Sequence, residues 1–131
     1  MYIAPMTVLI AASAMYMGVQ LLLVFGASDL ALFIWIGWGF FGTSGSLAFA
    51  ILSQQFPSHL TGRATTALNL LVFLTAFGSQ WAFGAIVNQW PVADGGYAPG
   101  GYSIAFGVFL ALQLCGFMWM LGGRVGRAAR T

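Results

Sequence analysis

Side chains able to hold or move charge are scarce in this 131-residue chain: four Arg, the acids Asp29 and Asp94, one histidine (His59) and one cysteine (Cys115), with no Lys or Glu. A hydrolytic or group-transfer enzyme needs a nucleophile with a base beside it. His59 stands between Ser58 and Leu60 with nothing close in sequence to orient it as a base. Cys115 lies inside an apolar run, with no internal partner for a disulfide and no second ligand at zinc spacing. The residue types therefore predict no enzyme, no metal site and no cofactor. What remains is neutral hydrogen-bonding chemistry from Gln20, Thr43, Ser44, Ser46, Asn69, Thr75, Ser79, Gln80 and Gln113, all set within apolar stretches. Buried amides and hydroxyls must find partners. They either bond to neighbouring helices, at roughly 1 kcal/mol each, or line the path of a polar solute.

Those stretches are long. Hydrophobic residues make up 60% of the chain and charged ones 5%, where a water-soluble domain carries roughly 45–50% and 25%. Four apolar blocks predict four transmembrane helices at about 6–25, 30–52, 64–90 and 102–121, with a basic tail over 122–131. At about 20 residues per span, only short connections are left and there is no room for a second domain. The first block lacks a basic leader and is too long for a signal-peptide core, so it reads as a span. Gly26 to Asp29 predict a tight turn, and Pro91 ends the third span. The polar segment from Ser53 to Arg63 predicts a loop in which Pro57 and Gly62 stop any continuous helix. Asp, Glu, Lys and Arg are absent from all four blocks, which argues against a self-sufficient proton-coupled pump. It argues likewise against the small multidrug exporters, which depend on an acid in the first span.

Basic residues flanking spans stay on the cytoplasmic side. Arg63 between spans two and three, and Arg124, Arg127 and Arg130 after span four, fall on one side of an even-numbered bundle. Both termini are accordingly expected in the cytoplasm, in a multi-pass protein of the plasma or inner membrane whose first partner is lipid. The net charge of +2 comes from those arginines alone and forms no basic stripe, so nucleic acid is not an expected partner.

At 3.6 residues per turn, Thr65, Asn69, Ala76 and Gln80 of span three share a face within about 60°. Thr75, Gly78, Ser79 and Ala82 form an adjoining small-residue face, while Leu70, Phe73, Leu74, Phe77 and Trp81 point to the lipid side. The pairs Gly78 with Ala82 and Gly107 with Ala111 read as helix-packing contacts. Span two carries Gly37, Gly39, Gly42 and Gly45. An interior glycine weakens a helix by about 1 kcal/mol and marks close packing or a bending point.

The segment Phe56 Pro57 Ser58 His59 Leu60 Thr61 Gly62 Arg63 Ala64 Thr65 Thr66 Ala67 Leu68 Asn69 resembles the cytoplasmic loop between the tenth and eleventh helices of major facilitator superfamily (MFS) transporters. The likeness extends through Trp81 to Ile86, Trp90 Pro91 and Gly101 to Phe106, and so covers most of the chain. It implies an all-α membrane protein, a partial MFS-type bundle corresponding to the ninth to twelfth helices. Its remaining partners would be the other helices of a transporter and a small-molecule solute, and it would be inactive alone. The resemblance places Trp38, Thr43, Asn69 and Gln80 along the substrate path, with Pro57, Gly62 and Arg63 in the loop motif. The chain departs from the family in having four spans rather than twelve. The competing expectation is a small autonomous four-helix protein, a channel-like oligomer or a non-catalytic subunit, self-associating through the Gly107, Ala111 and Cys115 stripe.

Overall fold

A computed structural model describes residues 5–93 and 95–128. Helix α1 (Pro5–Val24) leads through a one-turn 3-10 segment at Ser28–Leu30 into α2 (Ala31–Gly42). A second 3-10 turn, Thr43–Gly45, separates α2 from α3 (Ser46–Ser53). Helix α4 (Ser58–Val87), a two-residue hairpin of β1 (Val92–Ala93) and β2 (Gly96–Tyr97), and α5 (Pro99–Ala128) complete the order. Four helical stretches, 5–24, 31–53, 58–87 and 99–123, are long and apolar enough to cross a membrane.

The turn after α1 follows from one residue. Gly26 takes φ +66°, and the Gly26 and Ala27 amides donate to the Leu23 and Leu22 carbonyls, each at 3.2 Å. This is the Schellman pattern, which a left-handed glycine closes without a Cβ penalty. At the opposite end, Pro57 (φ −56°, ψ 149°) is extended and its carbonyl accepts from the Leu60 and Thr61 amides at 2.9 and 3.1 Å. The helix therefore starts at Ser58, six residues before the expected Ala64, and Gly62 lies inside it. A proline cannot continue a helix N-terminal to itself but is an ordinary neighbour of a helix start, and a single glycine lowers helix propensity without breaking the ladder. The expected loop over 53–63 shrinks to residues 54–57. The expected tail also changes, because α5 continues to Ala128 and carries the backbone of Arg124 and Arg127. Arg130 and Asp94 lie outside the described residues.

Helix α1 is the centre of the arrangement, packed between α2 and α5, while α4 lies against α3 near one end and α5 near the other. Gly37 lets α2 approach α1: a Cβ there would stand 3.3 Å from Val19 Cγ2. Gly101 lets α5 begin beneath the Trp90 indole, which a Cβ would meet at 3.4 Å. The buried core is small, with Ala105 at 0% exposure and Ile34, Val87 and Leu110 around it. The large apolar side chains at Leu70, Phe73, Leu74, Phe77 and Trp81 are exposed, as a lipid-facing side requires.

Candidate functional site: an aromatic cavity beside a 3-10 turn

The 3-10 turn in span two lies at its centre, with Gly42 midway between Ala31 and Ser53. The hydroxyls hold it locally: Thr43 Oγ1 donates to the Phe40 carbonyl at 2.6 Å, and Ser46 Oγ to the Thr43 carbonyl at 2.8 Å. Such side-chain bonds compete with the helical ladder and favour the tighter turn. Gly42, Ser44 and Gly45 at this turn line a cavity of about 460 Å³ together with Tyr16 of α1 and Gln113 of α5.

Tyr16 and Gln113 are also walls of a second cavity of about 510 Å³, formed by all four spans. Gln20 comes from α1, Trp38 from α2, Ser79, Gln80 and Phe83 from α4, and Phe106 and Phe109 from α5. Phe83 and Phe106 are shared in turn with a third cavity of about 490 Å³ toward Gly26, Trp35 and Tyr102. The three hollows thus follow one another along the bundle, separated first by Tyr16 with Gln113 and then by Phe83 with Phe106.

The central cavity has aromatic walls and neutral polar groups. The Trp38 ring stacks on Tyr16 (centroids 5.8 Å apart, 14° between planes) and meets Phe106 edge to face at 6.0 Å. Phe106 in turn packs on Phe83 at 5.1 Å, so one aromatic chain ties α1, α2, α4 and α5 together. Gln20 is the most buried polar side chain described, at 1% exposure. Its Nε2 donates to the Phe106 carbonyl at 3.1 Å, which fixes the orientation of the amide. Two amide oxygens of residues around the cavity, Gln20 Oε1 and Gln113 Oε1, are shut off from its space and have no partner. Leaving such atoms unpaired costs roughly 1–3 kcal/mol each.

Of the four residues placed on a substrate path by resemblance, Trp38 and Gln80 meet at this cavity. Thr43 is exposed and bonded within its own turn. Asn69 is exposed on α4, in the stretch from Asn69 to Thr75 where that helix has no buried residue. Of the packing residues, a Cβ at Gly42 would touch Tyr16 at 3.4 Å and one at Gly107 would reach Val24 at 3.9 Å. Ala82 is half-buried, Ala111 is exposed, and a Cβ at Gly45 or Gly78 meets nothing within 4 Å. Gln20 and Gln113 carry the same sequence signal as Gln80, an amide in an apolar run. Tyr16, Phe83 and Phe106 carry none, because their roles arise only when distant helices meet. Among the described residues no cluster of His, Cys, Asp or Glu could hold a metal ion. No family model, curated protein or solved structure matches the chain.

Proposed function

We propose that the chain forms the C-terminal third of a facilitator-type solute transporter and corresponds to its ninth to twelfth helices. Both termini, together with the loop of Pro57, Gly62 and Arg63, lie on the cytoplasmic side of a plasma or inner membrane, and the remaining helices of the transporter are its partners. The observation that supports this reading is the 3-10 turn at the centre of span two, whose residues Gly42, Ser44 and Gly45 line a cavity. A 3-10 turn within a longer helix often marks a hinge, and a hinge beside a cavity suits a protein whose helices move during transport. In alternating access the two halves of such a transporter rock about the site. The 3-10 turn at Thr43–Gly45 serves as the hinge of span two, and Trp38 and Gln80 face the solute.

Transport requires the other half of the protein, so the 131-residue chain reconstituted alone in liposomes moves no solute. The test is the mass of the native product. Tagging the chromosomal gene after Thr131 and blotting the membrane fraction is expected to give a band several times the 13.9 kDa of this chain. A band at 13.9 kDa would overturn the reading and identify an autonomous small membrane protein.

A further inference from the structure

Most polar groups around the central cavity are engaged within the protein. Gln20 donates through Nε2 to the Phe106 carbonyl, and its Oε1 is shut off from the space. The Trp38 indole N–H is paired with the Tyr16 hydroxyl, on the ring against which it stacks. Ser79 Oγ donates to the Ala76 carbonyl of its own helix at 3.0 Å, and the Gln113 oxygen is shut off like that of Gln20. The hydrogen-bonding capacity left is that of the exposed Gln80 amide, the Gln113 amide nitrogen and the Tyr16 hydroxyl proton. None of the lining residues is Asp, Glu, Lys, Arg or His, so a charged ligand would lose its hydration with nothing to compensate it. Against this small polar remainder stand five rings, Tyr16, Trp38, Phe83, Phe106 and Phe109, drawn from all four spans. All five are half-buried, so each keeps accessible surface. The volume of about 510 Å³ lies within the roughly 300–1,000 Å³ of pockets that hold small organic molecules.

We infer that this cavity binds an uncharged, flat aromatic molecule carrying a single neutral hydrogen-bonding group, and that it excludes ions and polyols. Aromatic rings gain from one another, stacked or edge to face, beyond the area they bury. A saturated ring of the same size gains the area alone. A polyol would strip water from several hydroxyls and find too few partners to replace it. One hydroxyl or carbonyl is within the capacity of Gln80, whose amide both donates and accepts. This assignment rests on the reading of the cavity as a solute site, but equilibrium binding tests it without any need for transport.

The experiment is isothermal titration calorimetry of the tagged native product in lipid nanodiscs, with empty nanodiscs as the blank. The probes are 2-naphthol, decahydro-2-naphthol, 2-naphthoate and sorbitol. Binding is expected for 2-naphthol, and about two- to tenfold weaker binding for decahydro-2-naphthol, which keeps the hydroxyl and loses the aromatic rings. The naphthoate should bind at least tenfold more weakly than 2-naphthol, and sorbitol should give no heat above the blank. Phe109→Leu should weaken 2-naphthol about two- to tenfold and leave decahydro-2-naphthol unchanged. Gln80→Leu should weaken both alcohols about three- to tenfold through the loss of one neutral hydrogen bond. Phe77→Leu, at a ring 71% exposed and outside the cavity, should change neither. Circular dichroism shows whether each variant is folded, and the exposed Gln80 tests the site if Phe109→Leu does not fold. Equal affinity for 2-naphthol and decahydro-2-naphthol, tighter binding of naphthoate or sorbitol, or 2-naphthol affinity unaltered in folded Phe109→Leu or Gln80→Leu would overturn the inference. So would the absence of heat above the blank for every probe. Selective 2-naphthol binding by a native product of 13.9 kDa would sustain this inference while removing the transporter reading, and a larger product that binds no probe would do the reverse.

Discussion

At the scale of single residues, Gln20 shows how a membrane interior treats an amide. One end of it is bonded across helices and the other is buried without a partner, so the two ends pull stability in opposite directions. Gln20→Leu removes the bond and the orphaned oxygen together while keeping the volume, and should change stability by less than about 1 kcal/mol. Gln20→Ala also leaves a void and should destabilise by about 2 kcal/mol, the sum of a lost interhelical bond and lost packing. Unfolding in mixed micelles at increasing dodecyl sulfate separates the two. Equal losses would mean that the hydrogen bond dominates and packing does not matter here. A second pair of variants contrasts two glycines. Gly37→Leu should push α1 and α2 apart against Val19 and lower the melting temperature, whereas Gly78→Leu meets open space and should leave it unchanged or raised. In the sequence both are glycines in apolar helices. Only the partner across the gap distinguishes them, and that partner is separated from Gly37 by a turn and most of a helix.

At the scale of elements, the punctuation was legible and the continuity was not. Gly26, Pro91 and the glycine-rich centre of span two each mark a feature that the structure contains, because each acts through local backbone sterics. Pro57 also marks a boundary, but the helix lies on its C-terminal side, and Gly62 has no effect on it. The polar residues from Ser58 to Arg63 disguise a helix end that extends past the apolar block. For the candidate site, Trp38 and Gln80 were legible as polar or amphipathic groups in apolar runs. Asn69 gave the same signal from a stretch of α4 that no neighbour reaches. The 3-10 turn at Thr43–Gly45 yields a prediction at this scale. Gly45→Ala adds about 1 kcal/mol of helix propensity, and its methyl meets no atom within 4 Å. Melting temperature should therefore rise, while spin labels placed at Leu32 and Ser53 should give a narrower distance distribution. An unchanged distribution would mean that the turn is already rigid.

At the scale of the whole molecule, the four spans pack in a ring, span one and span three each against spans two and four, with much of their surface uncovered. The accessible surface is 9373 Å² for 13.9 kDa, against roughly 6,700 Å² for a compact monomer of that mass. On α4, Asn69 to Thr75 are all exposed, and Leu68, Leu71, Val72, Thr75, Ala76 and Ser79 line a hollow bounded by that helix alone. If other transporter helices complete the fold, they cover this side. With Cys115 changed to Ser, a cysteine at Thr75 should react with a membrane-permeant maleimide in the isolated chain and be protected at least tenfold in the native product. Equal labelling in the two would place the missing helices elsewhere.

The turn closed by Gly26 also bears on how the protein enters its bilayer. Only residues 25–30 separate the first two spans, and only residues 54–57 separate the second from α4. Linkers this short hold adjacent spans side by side from the moment the second emerges, so each pair inserts as a helical hairpin rather than one span at a time. Asp29 is the single charged residue in the first linker. Lengthening that linker with a flexible glycine and serine stretch would uncouple the two insertion events and expose the cavity-lining faces of α1 and α2 to lipid before α5 arrives to cover them.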